Sequence, residues 1–159
     1  MSLQISRSPH FLPLLALVVA GACDNPVDRG DEHHDEAAGV QVTTMDGAVI
    51  ATYETGGWTF ASGDALILHP GEEQSVRIYF LAEDGDRIQL HPSGAEHTLR
   101  VAIANPAVAA YEGLPDHGRF EGLTIGQTTA TIQVFHGGHP DFQTNPGLPI
   151  EVVAHALDH

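Results

Sequence analysis

The chain has 159 residues, with 21 acidic side chains against 6 basic ones, no lysine, one cysteine and a formal net charge of −15. That length favours a single domain. With no basic face to replace phosphate counterions, nucleic-acid binding is excluded, and one cysteine rules out an internal disulfide.

The first segment, RSPHFLPLLALVVAGAC, carries one early cation, Arg7, an apolar run over residues 11–22, and small residues before Cys23. The run is shorter than the roughly 20 apolar residues a spanning helix needs, and Pro13 interrupts it. It reads as the apolar core of a secretory signal. The junction Ala20-Gly21-Ala22-Cys23 resembles the lipobox of bacterial lipoproteins, with Ala20 where leucine is usual. The resemblance implies that residues 1–22 are removed and that Cys23 receives a diacylglycerol. The protein would then be held in the bacterial cell envelope, on its periplasmic face or at the cell surface. Asp24, directly after the cysteine, matches inner-membrane retention under the enterobacterial sorting pattern. The plain alternative is a secretory signal with an incidental cysteine, although an unpaired exported thiol is an oxidisable liability. Acyl chains contribute about 0.8 kcal/mol per buried methylene, so several would anchor the protein without a spanning helix.

Removing residues 1–22 takes away only Arg7 and leaves 5 basic and 21 acidic residues. Residues 23–39, ending DNPVDRGDEHHDEAAG, have six acids, two histidines and almost nothing to bury. Such a segment cannot offset its ordering entropy and is expected to be a disordered acidic tether. His33 and His34 in this acidic run read either as part of a solvated spacer or as weak collectors of metal.

From residue 40 to the C-terminus the pattern is period-two. VQVTTMDGAVIATYE alternates around Asp46-Gly47, a hairpin-turn dipeptide. SVRIYFLA places Val76, Ile78 and Phe80 on one face. HTLRVAI does the same with Leu99, Val101 and Ile103, TTATIQVF with Ala130, Ile132 and Val134, and PIEVVAH with Ile150, Val152 and Ala154. No window shows helical spacing of apolar residues. Short alternating strands and frequent turn signals predict an all-β, two-sheet sandwich over residues 40–159. About 115–120 folded residues would bury 60–70% of the unfolded surface, enough for one core.

The stretches HPGEEQSVRIYFLAEDGDRI, VAIANPAVAAYE and GRFEGLTIGQTTATIQV resemble the bacterial Ig-like domain, group 2 type, of invasin- and intimin-like surface proteins. The matching positions are Gly71, Asp84-Gly85, Asn105 to Ala109, Gly122, Gly126 and Thr131 to Val134, within residues 64–155. The resemblance implies an Ig-like β-sandwich and no chemistry. It leaves over an extra N-terminal hairpin at 40–60 and a long segment at 136–148.

Ten histidines follow the signal, beside five arginines. HGGHPDFQTNPGL is long for a connection, and long loops are commonly functional or mobile. An Ig-like topology places it at the same end as the segment containing His91 and His97. His91, His97, His136 and His139 are therefore the candidate metal ligands, with zinc or copper as the ion, since both accept neutral imidazole. Gly137 and Gly138 give the backbone freedom, and Asp141 is placed to orient an imidazole. The competing reading is a mobile connection whose histidines are ordinary hydrated side chains. His69, His117, His155 and His159 read as exposed. Histidine charging near pH 6.5 would offset much of the acidity, but the spacing does not favour such a switch.

Other chemistry has little footing. There is no nucleophile elbow, no phosphate-binding glycine loop and no calcium-loop spacing in EDGD (83–86), which reads as a turn. Trp58, Tyr53, Phe60, Tyr79, Tyr111, Phe120, Phe135 and Phe142 form either a sugar-stacking face or, as strand aromatics usually do, part of the core. The sequence thus predicts an envelope lipoprotein, not an enzyme, whose one Ig-like domain binds a protein or cell-surface partner or serves as a structural module. The alternative is a zinc- or copper-binding protein on the same scaffold.

Overall fold

A computed structural model of the chain describes residues 36–88, 97–114, 117–136 and 138–155, all of them within one compact unit. The expected signal, Cys23 and most of the tether lie outside the described residues. Twelve strands are described: β1 Gly39–Thr43, β2 Val49–Glu54, β3 Gly57–Phe60, β4 Leu66–Leu68, β5 Glu73–Leu81, β6 Arg87–Ile88, β7 His97–Ile103, β8 Ala109–Gly113, β9 Gly118–Gly122, β10 Gly126–His136, β11 His139–Gln143 and β12 Leu148–Val152. Among the described residues there is no helix.

The strands form two sheets. One runs β3-β2-β1-β5-β9-β8, with β6 also paired to β5; the other runs β11-β10-β12-β4, with β7 paired to β10. The pairing of β5, β9 and β8 in one sheet and β7, β10 and β12 in the other is the strand division of an immunoglobulin-type sandwich. β1 lies antiparallel beside β5, and β4 runs parallel beside β12. The N-terminal hairpin therefore does two things. Its first strand is built into the sandwich, and β2 and β3 extend that sheet outward through the two-residue turn Thr55-Gly56.

Alternation decides which side chains are buried. Val40 and Val42 of β1, Val76 and Phe80 of β5, Phe120 of β9, Ala130, Ile132 and Val134 of β10, and Ile150 and Val152 of β12 all face one core. Each large aliphatic or aromatic side chain buried there contributes roughly 1.5–3 kcal/mol. Two expected core residues fall outside this pattern. Leu99 has inward parity but is 36% exposed, because β7 is an edge strand paired, among the described residues, only with β10. Ala154 lies past the end of β12 and is exposed.

Close packing explains Gly122, one of the glycines of the Ig-like pattern. A Cβ there would lie 2.5 Å from the carbonyl oxygen of His69, and backbone cannot move aside as a side chain can. The 83–86 stretch is a turn, as expected, with the Asp86 N–H donating to Asp84 Oδ1 at 3.0 Å.

Packing leaves one phenol without compensation. Tyr111 OH is buried and has no hydrogen-bond partner among the described residues, and burial raises its pKa above the ordinary tyrosine value. A raised folded-state pKa means that stability from this group is present below the unfolded pKa of about 10 and is lost as pH rises through the folded value. Replacing Tyr111 by phenylalanine removes the orphaned hydroxyl. Urea denaturation should show stability unchanged or raised by about 1 kcal/mol, and part of the alkaline destabilisation should disappear.

Candidate functional site

The segment expected to be a 13-residue loop is mostly strand. β10 continues to His136, and after a turn at Gly138 β11 returns from His139. Gly138 has φ +96°, a backbone conformation open to glycine at little cost. β11 and β12 then pair along β10 as one interrupted strand. Seven residues of β10, Ala130 to His136, face ten of the returning chain, His139 to Leu148, so three are extra. One extra residue is Asp141, at the register shift next to Pro140; the others form a kink over Thr144 to Gly147. The expected loop is thus corrected to paired strand over His139–Gln143: ladder hydrogen bonds satisfy a backbone that a loop would leave to water.

Aromatic side chains from the other sheet hold the kink. Tyr53 OH donates to the Asn145 carbonyl at 2.9 Å and accepts from the Asn145 N–H at 3.1 Å. Trp58 Nε1 donates to the Pro146 carbonyl at 3.0 Å. Thr144, buried, accepts from the Ile132 N–H through its hydroxyl at 3.1 Å. The Tyr53, Trp58, Phe142 and Phe80 rings form a chain of contacts with centroids 5.2–6.2 Å apart. Nothing local in the sequence signals this clamp, because it joins residues about ninety positions apart.

The clamp also fixes which end of the sandwich is which. Val40 pairs with Phe80, the Phe80 ring meets Phe142, and Phe142 pairs with Val134, two residues from His136. The first strand therefore starts at the end that carries the hairpin tip.

Three of the four candidate ligands meet there. His136 is the register partner of His97 on β7 and of His139 on β11. His139 is exposed, and its Nδ1 lies 3.0 Å from Asp141 Oδ1. The side chains of His97 and His136, and all of His91, lie outside the described set. Among the side chains that are described, no group of three or more His, Cys, Asp or Glu is arranged to hold a metal ion.

The remaining histidines differ partly from expectation. His69 is half-buried rather than exposed: its Nδ1 lies 2.9 Å from the Val153 carbonyl, and its ring stacks on His155 with centroids 4.1 Å apart. The aromatic residues split as strand packing dictates. Tyr53 and Phe120 are core, and Trp58, Phe60, Tyr111 and Phe142 pack against it. Tyr79 and Phe135, on outer faces, lie beneath the guanidinium groups of Arg87 and Arg100 at 3.9 Å, so no open stacking platform remains at either. At the opposite end of β10 a shallow groove of about 490 Å³ has a mixed polar and apolar lining that includes Asp64, Ala104, Asn105, Gln127, Ile150 and Glu151.

No family model matches the chain, and no curated protein does. Among solved structures the chain is distantly similar to domains 4 and 5 of the S-layer protein SbsC, with 16% identity and a TM-score of 0.39, covering 58% of this chain and 49% of that one. Domains 4–9 of the same protein match with 12% identity and a TM-score of 0.39, over 79% of this chain and 23% of the other. The chain thus spans about half of the first structure and less than a quarter of the second.

Proposed function

We propose that the protein is an envelope lipoprotein, anchored through Cys23, whose Ig-type sandwich acts as a non-catalytic binding or structural module. The observation that carries this reading is the place of β1. The chain leaving the expected tether enters a strand hydrogen-bonded on both edges, to β2 and to β5, with Val40 and Val42 fully buried. Force or motion transmitted along the tether therefore meets the middle of a sheet and cannot peel off an edge strand. Residues 24–38, fully extended, reach at most about 50 Å, so the body would stay close to the bilayer while its acidic surface keeps it soluble. The partner that suits this surface is a protein or a cell-surface component, and nucleic acid is disfavoured by charge.

The test is fractionation of cells expressing the full chain. The unaltered protein should sediment with membranes and partition into detergent. Cys23→Ser should move it to the soluble fraction with the melting temperature of the folded domain unchanged. Membrane association that survives Cys23→Ser would overturn the anchored reading.

A further inference from the structure

We propose that the outer face of the second sheet, at the end of β10 remote from the hairpin tip, is a docking surface for a basic polypeptide segment. The segment presents arginine or lysine between aliphatic side chains. The proposal rests on the binding reading given above, for which it names the surface and the partner chemistry, and it does not depend on the lipid anchor.

The surface arises where two strands stop short. β7 pairs with β10 only as far as Ala130, opposite Ile103, and the chain then passes through Ala104 and Asn105 towards β8. On the other side β4 starts at Leu66, opposite Ile150, so Asp64 and Ala65 lie beyond its pairing with β12. The groove of about 490 Å³ takes its lining from both these edges and from the β10–β12 ladder between them. One wall is held in place: the Asn105 N–H donates to Thr128 Oγ1 at 2.9 Å, and the Ala104 N–H donates to the Thr129 carbonyl at 2.9 Å. Small-molecule pockets enclose about 70–90% of their ligand. A shallow groove suits a segment laid across it better.

Charge selects the occupant. Asp64 is exposed and, among the described residues, forms no ion pair, and Glu151 accepts only a long contact of 3.4 Å from Gln127 Nε2. Of the described arginines, Arg77, Arg87 and Arg119 belong to the first sheet. Arg100 is the partner of Gln133, four residues or about 13 Å along β10 from Thr129, and it lies over Phe135. No basic side chain lines the groove, so the complement to its two carboxylates comes from a partner's cation. The chain's net charge of −15 steers such a partner inward.

Aliphatic side chains flank the acids. Ile67 pairs with Glu151 and is 46% exposed, and Ile125, 61% exposed, stands two residues before Gln127. Exposed aliphatics scattered singly are ordinary, whereas two beside one groove mark an interaction surface. No aromatic ring lines the groove, so a sugar would find no face to stack on. β1 begins at the hairpin-tip end, so the tether joins the body away from this groove.

The test is titration of isotope-labelled full-length protein, in nonionic detergent micelles, with the peptide acetyl-Arg-Ile-Gly-Arg-Ile-amide. Salt is set at about 150 mM, which screens exposed charges more than about 8 Å apart. The expected result is saturable binding of one peptide per chain, at about 100 μM or tighter, with amide shifts centred on residues 64–67, 125–129 and 149–151. Replacing arginine by glutamate in the peptide should abolish binding. Asp64→Asn/Glu151→Gln should weaken it about 10-fold, the combined effect of two exposed ion pairs. Glu54→Gln/Glu83→Gln, which removes the same charge from exposed positions of the first sheet and its β5–β6 turn, should change it by less than about 2-fold. Ile125→Ser should weaken binding about 5-fold through lost apolar contact.

Melting temperatures serve as the fold control. If Asp64→Asn/Glu151→Gln fails to fold, Ile125→Ser and the shift map of the unaltered protein decide. Equal weakening by the two double variants would reduce the binding to general charge attraction and overturn the proposal. Shifts confined to other surfaces would overturn it too, while leaving a binding module in place. Groove shifts with maltohexaose and none with the peptide would replace the basic segment by a glycan. Absence of any bound peptide would overturn the surface, and Cys23→Ser fractionation would still judge the anchored module separately.

Discussion

A chain shortened to residues 64–159 should fail to melt cooperatively, whereas the chain from residue 36 onward should show a single sharp transition. The shortened piece contains every motif of the Ig-like pattern, so by sequence resemblance alone it is a whole domain. The packing says otherwise. Removing residues 36–63 strips β1 from the edge of β5 along Arg77–Leu81 and uncovers the core that Val40, Val42, Ala51 and Tyr53 fill. Two buried valines alone contribute roughly 3–6 kcal/mol, against a total domain stability of about 5–15 kcal/mol. The same cut removes Tyr53 and Trp58, the side chains that hold the Asn145–Pro146 kink. Thermal denaturation followed by circular dichroism distinguishes the cases. A cooperative melt of the shortened chain within about 2 kcal/mol of the longer one would show β1 to be an appendage.

Phe80→Ala should lower the unfolding free energy by about 3–5 kcal/mol, the usual cost of emptying a buried phenylalanine site. Phe80 is 1% exposed, lies on β5 between β1 and β6, and meets Phe142 edge-on at 6.0 Å. Its loss opens a cavity where the two sheets meet beneath the hairpin tip. Equilibrium urea denaturation gives the measurement, and a loss below about 1 kcal/mol would mean that the sheets do not close on this ring.

Much of this fold was legible in the residues. Val76, Ile78, Phe80, Ala130, Ile132, Val134, Ile150 and Val152 declare their inward face by alternation, and each packs in or against the core. Asp46-Gly47 declares its turn, with Gly47 at φ +92°. Leu99 shows the limit of this reasoning. Parity fixes which way a side chain points but not whether another layer covers it, and an edge strand is covered less.

The hairpin tip was legible in its composition and misleading in its length. Thirteen residues between recognisable strands suggested a loop, because HPDFQ lacks the β-branched run that marks a strand and includes a proline. β11 tolerates Pro140 next to the register shift that makes Asp141 the extra residue, a place where proline is accepted. The grouping of His97 with His136 and His139 followed from loop ends in a sandwich. The rung that unites them depends on a register that no local pattern encodes. The Tyr53 and Trp58 clamp was invisible for the same reason: its partners are backbone carbonyls, which every residue has.

The most direct test of the central claim, that β7, β10 and β11 are one ladder reaching the histidine rung, is a set of cross-strand nuclear Overhauser contacts. In the folded protein, backbone protons of His136 should show contacts to those of both His97 and His139, with Val134 showing contacts to Leu99 and Phe142. The account predicts both series, together with slow amide exchange in the Val134 region. Sequential contacts only, with rapid exchange from residue 136 through 148, would contradict it.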